Sequence, residues 1–222
     1  MSGFFAPDSA PMRFLTRIAD LMILNLVFIA TAIPIVTIGA ALTALNFTAM
    51  RLGRGQCDSV TRDYFRSFRQ NLRQASIIWL LVGLLTVVLW AWYVVVANLT
   101  FGPVVEFILL GLWYLIVFGI SLNVLFVFPY LANFEGSLRQ ILRNSRLLSL
   151  RHPFTSVSAL VLIGLAIVVT VFYPIVTGYG ILWIAIGFAG IAFLTGVLFA
   201  RVFDRYAPQP LPDSLPDEEE VE

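Results

Sequence analysis

The sequence has no lysine, a single cysteine and a single histidine, and charged residues make up only 12% of its 222 positions. A soluble domain carries about 25% charged residues, roughly twice that fraction. Hydrophobic residues make up 59% of the chain, and several uncharged stretches are longer than any element of a soluble core. The composition therefore excludes a soluble globular protein and predicts a polytopic membrane protein.

The scarcity of reactive side chains excludes further functions. Cys57 has no second cysteine with which to form a disulfide, and His152 has no further histidine for a metal site or a catalytic triad. The chain has no glycine-rich phosphate loop and no basic domain outside short loops. We therefore expect a protein that is not an enzyme, that needs no cofactor or metal, and that binds no nucleic acid.

Four uncharged runs are each long enough for at least one membrane span of about 20 residues. They are Leu21–Met50, Gln74–Val105, Phe107–Phe134 and His152–Ala200. All basic residues are arginines, and they occur in residues 13–17, 51–73, 139–151 and 201–205. By the positive-inside rule these segments face the cytoplasm. The sequence predicts a multi-pass protein of the bacterial cell membrane with both termini in the cytoplasm.

Termini on the same side of the membrane require an even number of crossings. The run Leu21–Met50 holds two short helices if the chain reverses near Pro34–Gly39, where proline removes a helix donor and glycine permits a turn. An all-α transmembrane bundle of six crossings results, at residues 14–33, 38–52, 75–97, 107–132, 154–173 and 181–200. The alternative treats Leu21–Met50 as one kinked or re-entrant span, which gives five crossings and an external N-terminus.

The net charge of +1 conceals a basic body and an acidic tail. Six of the 13 acidic residues lie at the C-terminal end: Asp213, Asp217, Glu218, Glu219, Glu220 and Glu222. We divide the chain into a transmembrane helical domain, residues 1–206, and a proline-rich acidic tail, residues 207–222. The composition of the tail predicts that it is disordered and cytoplasmic.

Short motifs recur about 70 residues apart. The tetrapeptide Pro-Ile-Val-Thr occurs at residues 34–37 and 174–177, and Pro103 lies midway between the two copies. The residues expected at the outer turns are Pro34, Thr37, Gly39, Pro103, Pro174 and Thr177. The spacing favours three helical hairpins in one orientation. Motifs this short also arise by chance in so biased a sequence, which leaves the repeat open.

Two arginine-rich segments are predicted to form amphipathic helices on the inner membrane surface, one from Asp63 onward and one over Ser137–Leu150. Arginines four residues apart share a helix face and can reach lipid phosphates together. The candidate contacts to lipid headgroups or to a partner protein are Arg62, Arg66, Arg69, Arg73, Arg139, Arg143 and Arg146. At the start of the first span, Asp20 is expected to form a structural ion pair with Arg17.

Several segments match a known pattern. They are Phe4–Ser9, Arg17–Leu21, Pro34–Ala40, Tyr64–Leu72 and Phe128–Tyr130. With these motifs the chain resembles the YesL-like family of bacterial integral membrane proteins, a domain of unknown function, over residues 4–205. The Pro-Ile-Val-Thr-Ile-Gly block is the most specific part of the resemblance.

The resemblance implies a role without catalytic residues. Family members are often encoded beside permeases and solute-binding proteins of carbohydrate ABC transporters. This implies an accessory protein of oligosaccharide uptake, with the lipid bilayer and the transporter's permease and ATPase subunits as partners. Two alternatives stay open: an uncoupled channel or facilitator for a small solute, and a membrane scaffold or regulator that acts through its cytoplasmic helices. A homo-oligomer is also left open.

Overall fold

The computed structural model describes residues 10–98 and 102–206. These residues form an all-α bundle, which confirms the predicted fold class. The helices are α1 (Ala10–Ala32), α2 (Ile38–Gly53), α3 (Val60–Asn98), α4 (Pro103–Asn133), α5 (Leu138–Arg151), α6 (Pro153–Phe172) and α7 (Phe188–Phe203). Short 3-10 turns cover Ile35–Thr37 and Gly178–Gly180, and a π-helical segment, Trp183–Gly187, leads into α7.

Six helices in the described ranges are long and apolar enough to cross a membrane, as predicted. The run Leu21–Met50 contains a reversal, because α1 ends at Ala32, α2 begins at Ile38, and Arg17 near the start of α1 bonds to Leu52 near the end of α2. The alternative of one kinked span through this run is therefore wrong. The acidic tail, residues 207–222, and the motif Phe4–Ser9 lie outside the described residues.

Helix α2 is the central helix of the bundle, because it packs against α1, α3, α4 and α7. Small side chains let these neighbours approach closely. Ala40, Ala41, Ala44 and Ala49 on α2 are all fully buried. Of the three hairpins, α1–α2, α3–α4 and α6–α7, the first therefore packs through α2 against both helices of the second and against α7 of the third.

Gly39 marks the closest approach between α2 and α3. A Cβ atom at this position would lie 2.3 Å from the carbonyl oxygen of Ala75 and 2.7 Å from the Cβ atom of Trp79. Any residue larger than glycine would push the two helices apart. Gly39 therefore has a packing role in addition to its predicted place at an outer turn.

The two Pro-Ile-Val-Thr motifs form turns with the same hydrogen bond. The Thr37 hydroxyl donates to the carbonyl oxygen of Pro34 at 2.8 Å, and the Thr177 hydroxyl donates to that of Pro174 at 3.0 Å. Pro103 differs, because it is the first residue of α4, where a missing N–H leaves no intrahelical bond unmade. The structure thus gives the two tetrapeptides one local role and Pro103 another.

Helix α3 contains 39 residues and is about 58 Å long, nearly twice the thickness of a bilayer's hydrocarbon core. The amphipathic helix predicted from Asp63 onward is its first half and is continuous with the third span. Its inner side, which includes Tyr64 and Ser67, is fully buried against protein and not in lipid headgroups. The second predicted amphipathic helix is a separate element, α5.

The second half of α3 pairs with the first half of α4. The Trp113 indole nitrogen donates to the carbonyl oxygen of Leu89 at 2.9 Å. Because α2 begins beside Trp79, residues 80–98 continue past it for about 28 Å. We call residues 80–98 and 103–125 the extended hairpin. Within its described residues, Val96 is the one buried side chain, so apolar surface is exposed on nearly all sides.

We predict that Gly39→Ala lowers the free energy of unfolding by about 1–3 kcal/mol, because the added methyl group overpacks the α2–α3 contact. Thermal unfolding in mild detergent measures the loss. Gly83→Ala in α3 is the matched control, because no atom lies within 4 Å of a Cβ built there. Equal stability of the two variants would show that Gly39 does not set the helix separation.

Candidate functional site

Four predicted arginines lie together on one side of α3. Arg62, Arg66, Arg69 and Arg73 are all exposed, and spacings of four, three and four residues keep them on a common helix face. We call these four residues the basic face. Because the opposite side of this half of α3 packs on α2, the basic face runs beside α2 along one flank of the bundle.

The flanks of the bundle differ in chemistry. A charged side chain in the hydrocarbon core costs about 2.5–3.5 kcal/mol even on the most lenient scale, so the basic face must border water or lipid headgroups. Other helices expose apolar side chains, such as Met22 and Leu26 on α1 and Val161 and Leu165 on α6. The apolar flanks suit lipid or membrane partners, and the basic face suits an aqueous contact.

Helix α5 carries the second set of predicted arginines. Its start is fixed by a capping box, in which the Ser137 hydroxyl accepts from the Gln140 N–H and the Ser137 N–H donates to the Gln140 side chain at 2.9 Å. The side chain of Asn144 donates to the Tyr130 hydroxyl at 3.0 Å and ties α5 to α4. The three predicted arginines of α5, Arg139, Arg143 and Arg146, are exposed, and so is Arg151 at its end.

A single hydrogen bond joins the two arginine-rich elements. The Gln74 side chain, next to Arg73 on α3, donates to the carbonyl oxygen of Gly136 at 3.1 Å. Gly136 lies just before α5, three residues from Arg139. The structure therefore brings the end of the basic face close to the first arginine of α5.

The predicted ion pair between Asp20 and Arg17 is not formed. The two ion pairs in the described residues are Arg51–Asp63, at 3.0 Å, and Arg54–Asp204. The Arg17 guanidinium instead donates to the carbonyl oxygen of Leu52. Carbonyls in the last turn of a helix lack intrahelical donors and attract cations, which explains why Arg17 binds the end of α2.

Asn25 forms hydrogen bonds between helices, and the sequence did not reveal their partners. Its side chain is fully buried, and its amide nitrogen donates to the carbonyl oxygens of Trp183 at 2.8 Å and Ile184 at 2.7 Å. Its carbonyl oxygen accepts from the Ala189 N–H at 3.0 Å. All three backbone groups lie in or just after the π-helical segment.

The π-helical segment explains why an amide is needed there. An i→i+5 turn interrupts the regular backbone bonding of the helix, and unpaired backbone groups in an apolar bundle cost several kcal/mol each. Asn25 on α1 supplies hydrogen-bond partners to three backbone groups at this segment. In the sequence, Asn25 is an isolated amide within an uncharged run, and this pattern does not indicate which residues it contacts.

The fold defines the class: the chain is a multi-pass, all-α membrane protein. Residues 21–94, about a third of the chain, match the model of a family described as protein of unknown function, DUF624, which is the YesL-like domain. The matched segment includes Asn25, Gly39 and the basic face. Comparison with curated proteins and with solved structures gives no match.

Asn25→Leu is expected to reduce stability by about 2 kcal/mol, because a buried interhelical hydrogen bond in a membrane protein is worth roughly 0.6 kcal/mol and this variant loses three. Unfolding in mixed detergent micelles measures the change. Asn98→Leu is the control, since the exposed Asn98 side chain bonds to Val94 of its own helix and to no other helix among the described residues. A similar loss in both variants would contradict the role of Asn25.

Cys57, in the loop between α2 and α3, is predicted to be a slow nucleophile. Burial, and then the hydrogen bond and charge of Asp63, raise the pKa of its thiol from 9.0 to about 11. At pH 7.5 the reactive thiolate is therefore about 100-fold scarcer than for an unperturbed thiol. Iodoacetamide labelling should be slow and should accelerate as the pH approaches 11.

Asp63→Asn should speed this labelling at pH 7.5, because it removes the carboxylate that disfavours the thiolate. Asp204→Asn is the matched control, because it removes a carboxylate that pairs with Arg54 and does not act on Cys57. Unchanged labelling of Asp63→Asn would show that Asp63 does not govern the thiol.

Proposed function

We propose that this chain is a non-enzymatic accessory subunit of a carbohydrate ABC uptake system in the bacterial cell membrane, with both termini in the cytoplasm. The observation that carries the proposal is the extended hairpin, residues 80–98 and 103–125. It is apolar, it reaches beyond the rest of the bundle, and it is almost unburied within the chain. Such a surface is available to the helices of another membrane subunit.

Glycines on the extended hairpin support a close helix–helix contact. Gly83, Gly111 and Gly119 each have open space where a Cβ would lie. Small residues on exposed helix faces allow a second helix to approach closely, which is how helices associate in membranes in the absence of a hydrophobic driving force. The proposed partner here is the transporter's permease.

The basic face supports a second contact, on the cytoplasmic side. Four exposed arginines lie on α3, and the bond between Gln74 and Gly136 connects this helix to the turn before α5, which carries further exposed arginines. Charge complementarity of this kind orients partners and excludes incorrect ones. We propose that this region meets the cytoplasmic part of the importer, where the ATPase subunits bind.

The non-enzymatic part of the proposal rests on the chain's few reactive groups. The His152 Nε2 atom lies 3.1 Å from the Tyr206 hydroxyl, a contact that suits a structural role at the junction of α5 and α6. The raised pKa of the Cys57 thiol makes it a poor nucleophile. The link to carbohydrate uptake rests on the resemblance to the YesL-like family.

No observation favours the channel among the alternatives. Helix α2 occupies the centre of the bundle, and four of its ten buried residues there are alanines. A scaffold or regulator that acts through the basic face differs from the proposed subunit in its partners. Identification of the proteins that copurify with the chain therefore distinguishes a scaffold from an importer subunit.

The test is purification of the tagged chain from its native membrane in mild detergent, followed by mass spectrometry. We expect the permease and ATPase of an ABC importer at near-stoichiometric yield. Gly111→Leu should lower recovery of the permease at least five-fold, because the added side chain keeps the partner helix away. Gly164→Leu is the matched control, since Gly164 on α6 also has open space around it.

Recovery of the chain alone, or with soluble regulators only, would contradict the importer role. Equal recovery of the permease with Gly111→Leu and Gly164→Leu would place the contact elsewhere than the extended hairpin. Loss of all partners after changing Arg62, Arg66, Arg69 and Arg73 to Gln, with no effect of Gly111→Leu, would favour the scaffold.

A further inference from the structure

A cavity of about 370 Å³ lies among α2, α3, α4, α6 and the π-helical segment with α7. Its walls include Leu42, Trp79, Val124, Ile167, Trp183 and Phe199. Each of these residues comes from a different element of the bundle, so the cavity exists only in the assembled fold. It is separate from the basic face and from the extended hairpin's outer surface.

The cavity wall offers almost no hydrogen-bonding capacity. Asn46 and Thr195 are its two amide or hydroxyl side chains. The Asn46 amide nitrogen donates to the carbonyl oxygen of Leu42, and the Thr195 hydroxyl donates to that of Ile191, both at 2.8 Å. A sugar or an ion would lose its hydration here without replacement, so the cavity selects an apolar ligand.

The size and the mouth of the cavity indicate which apolar ligand fits. A protein cavity of about 150 Å³ holds a benzene molecule, so one of 370 Å³ has room for a dozen or more carbon atoms. Two lining residues at the edge, Ile167 on α6 and Phe188 on α7, are 54% and 39% exposed. Both belong to helices able to span the membrane, so the mouth opens toward lipid chains.

The rim of the cavity is held in a defined shape. The Trp183 indole nitrogen donates to the Thr170 hydroxyl at 2.9 Å, and the ring lies 4.9 Å from that of Phe188. A Cβ on Gly187 would come within 2.7 Å of the Trp183 ring, so glycine is required for this ring position. The backbone here is the π-helical segment bound by Asn25, which fixes Trp183 at the mouth.

We propose that this cavity binds one acyl chain of a membrane phospholipid, which enters between α6 and the start of α7. An unfilled apolar cavity would forfeit the dispersion contacts of its walls, and water would find no polar partners in it. The surrounding bilayer supplies acyl chains of sufficient length at high concentration. This site does not depend on the proposed role in carbohydrate uptake.

The test uses the full chain in nanodiscs of phosphatidylethanolamine and phosphatidylglycerol that contain a trace of phosphatidylglycerol with a mid-chain diazirine. After photolysis, peptide mass spectrometry locates the labelled residues. We expect label on Val124 and Ile191, which line the inner wall and are only partly exposed. Label confined to exposed residues that do not line the cavity, such as Val168, would overturn the proposal.

Ile167→Trp should block the mouth and reduce label on Val124 and Ile191 at least five-fold. Leu165→Trp is the matched control, because Leu165 is 61% exposed on the same helix and does not line the cavity. Val124→Phe, which fills the cavity from the opposite wall, is a second variant and should lower the label on Ile191.

Three outcomes would refute the assignment. One is equal labelling of the inner wall in Ile167→Trp and Leu165→Trp. Another is inner-wall labelling in Val124→Phe at the level of the unmodified chain. The third is inner-wall labelling by diazirine-bearing palmitic acid but not by the phospholipid probe, which would assign the cavity to a free fatty acid.

Discussion

The contact between Gly39 and Ala75 fixes the position of the longest helix in the molecule. It sets α2 beside the first half of α3, because only a glycine permits the carbonyl of Ala75 to come so near. With the first half of α3 held there, the second half must leave the bundle. The basic face and the extended hairpin are thus two consequences of one close packing contact.

A polar group without a hydrogen-bond partner is destabilising in the apolar surroundings of this bundle. Two side chains of α1 provide such partners. Asn25 supplies hydrogen-bond partners to three backbone groups of the π-helical segment. Arg17 donates to the carbonyl of Leu52 at the end of α2. In both cases a side chain of α1 satisfies backbone of another helix, so α1 stabilises the bundle through polar bonds as well as through its apolar side.

The sequence predicted the class, the six membrane-length helices and the reversal at Pro34, because run length and proline act locally. It did not predict that α3 is continuous through Gln74, since a charged, amphipathic half and an apolar half give no local signal of one straight helix. The wrong pairing of Asp20 with Arg17 has the same origin. Neighbouring charges are visible in a sequence, whereas the position of the Leu52 carbonyl in the last turn of α2 depends on where α2 ends.

The extended hairpin and the cavity meet at a shared boundary. Trp79 and Val124 lie where the hairpin leaves the bundle, and both line the cavity. On that side the base of the hairpin therefore faces the cavity, while on the other side Trp79 packs against α2 at Gly39. Interiors resist deformation because they are close-packed, so whatever fills the cavity contributes directly to how firmly the hairpin is held.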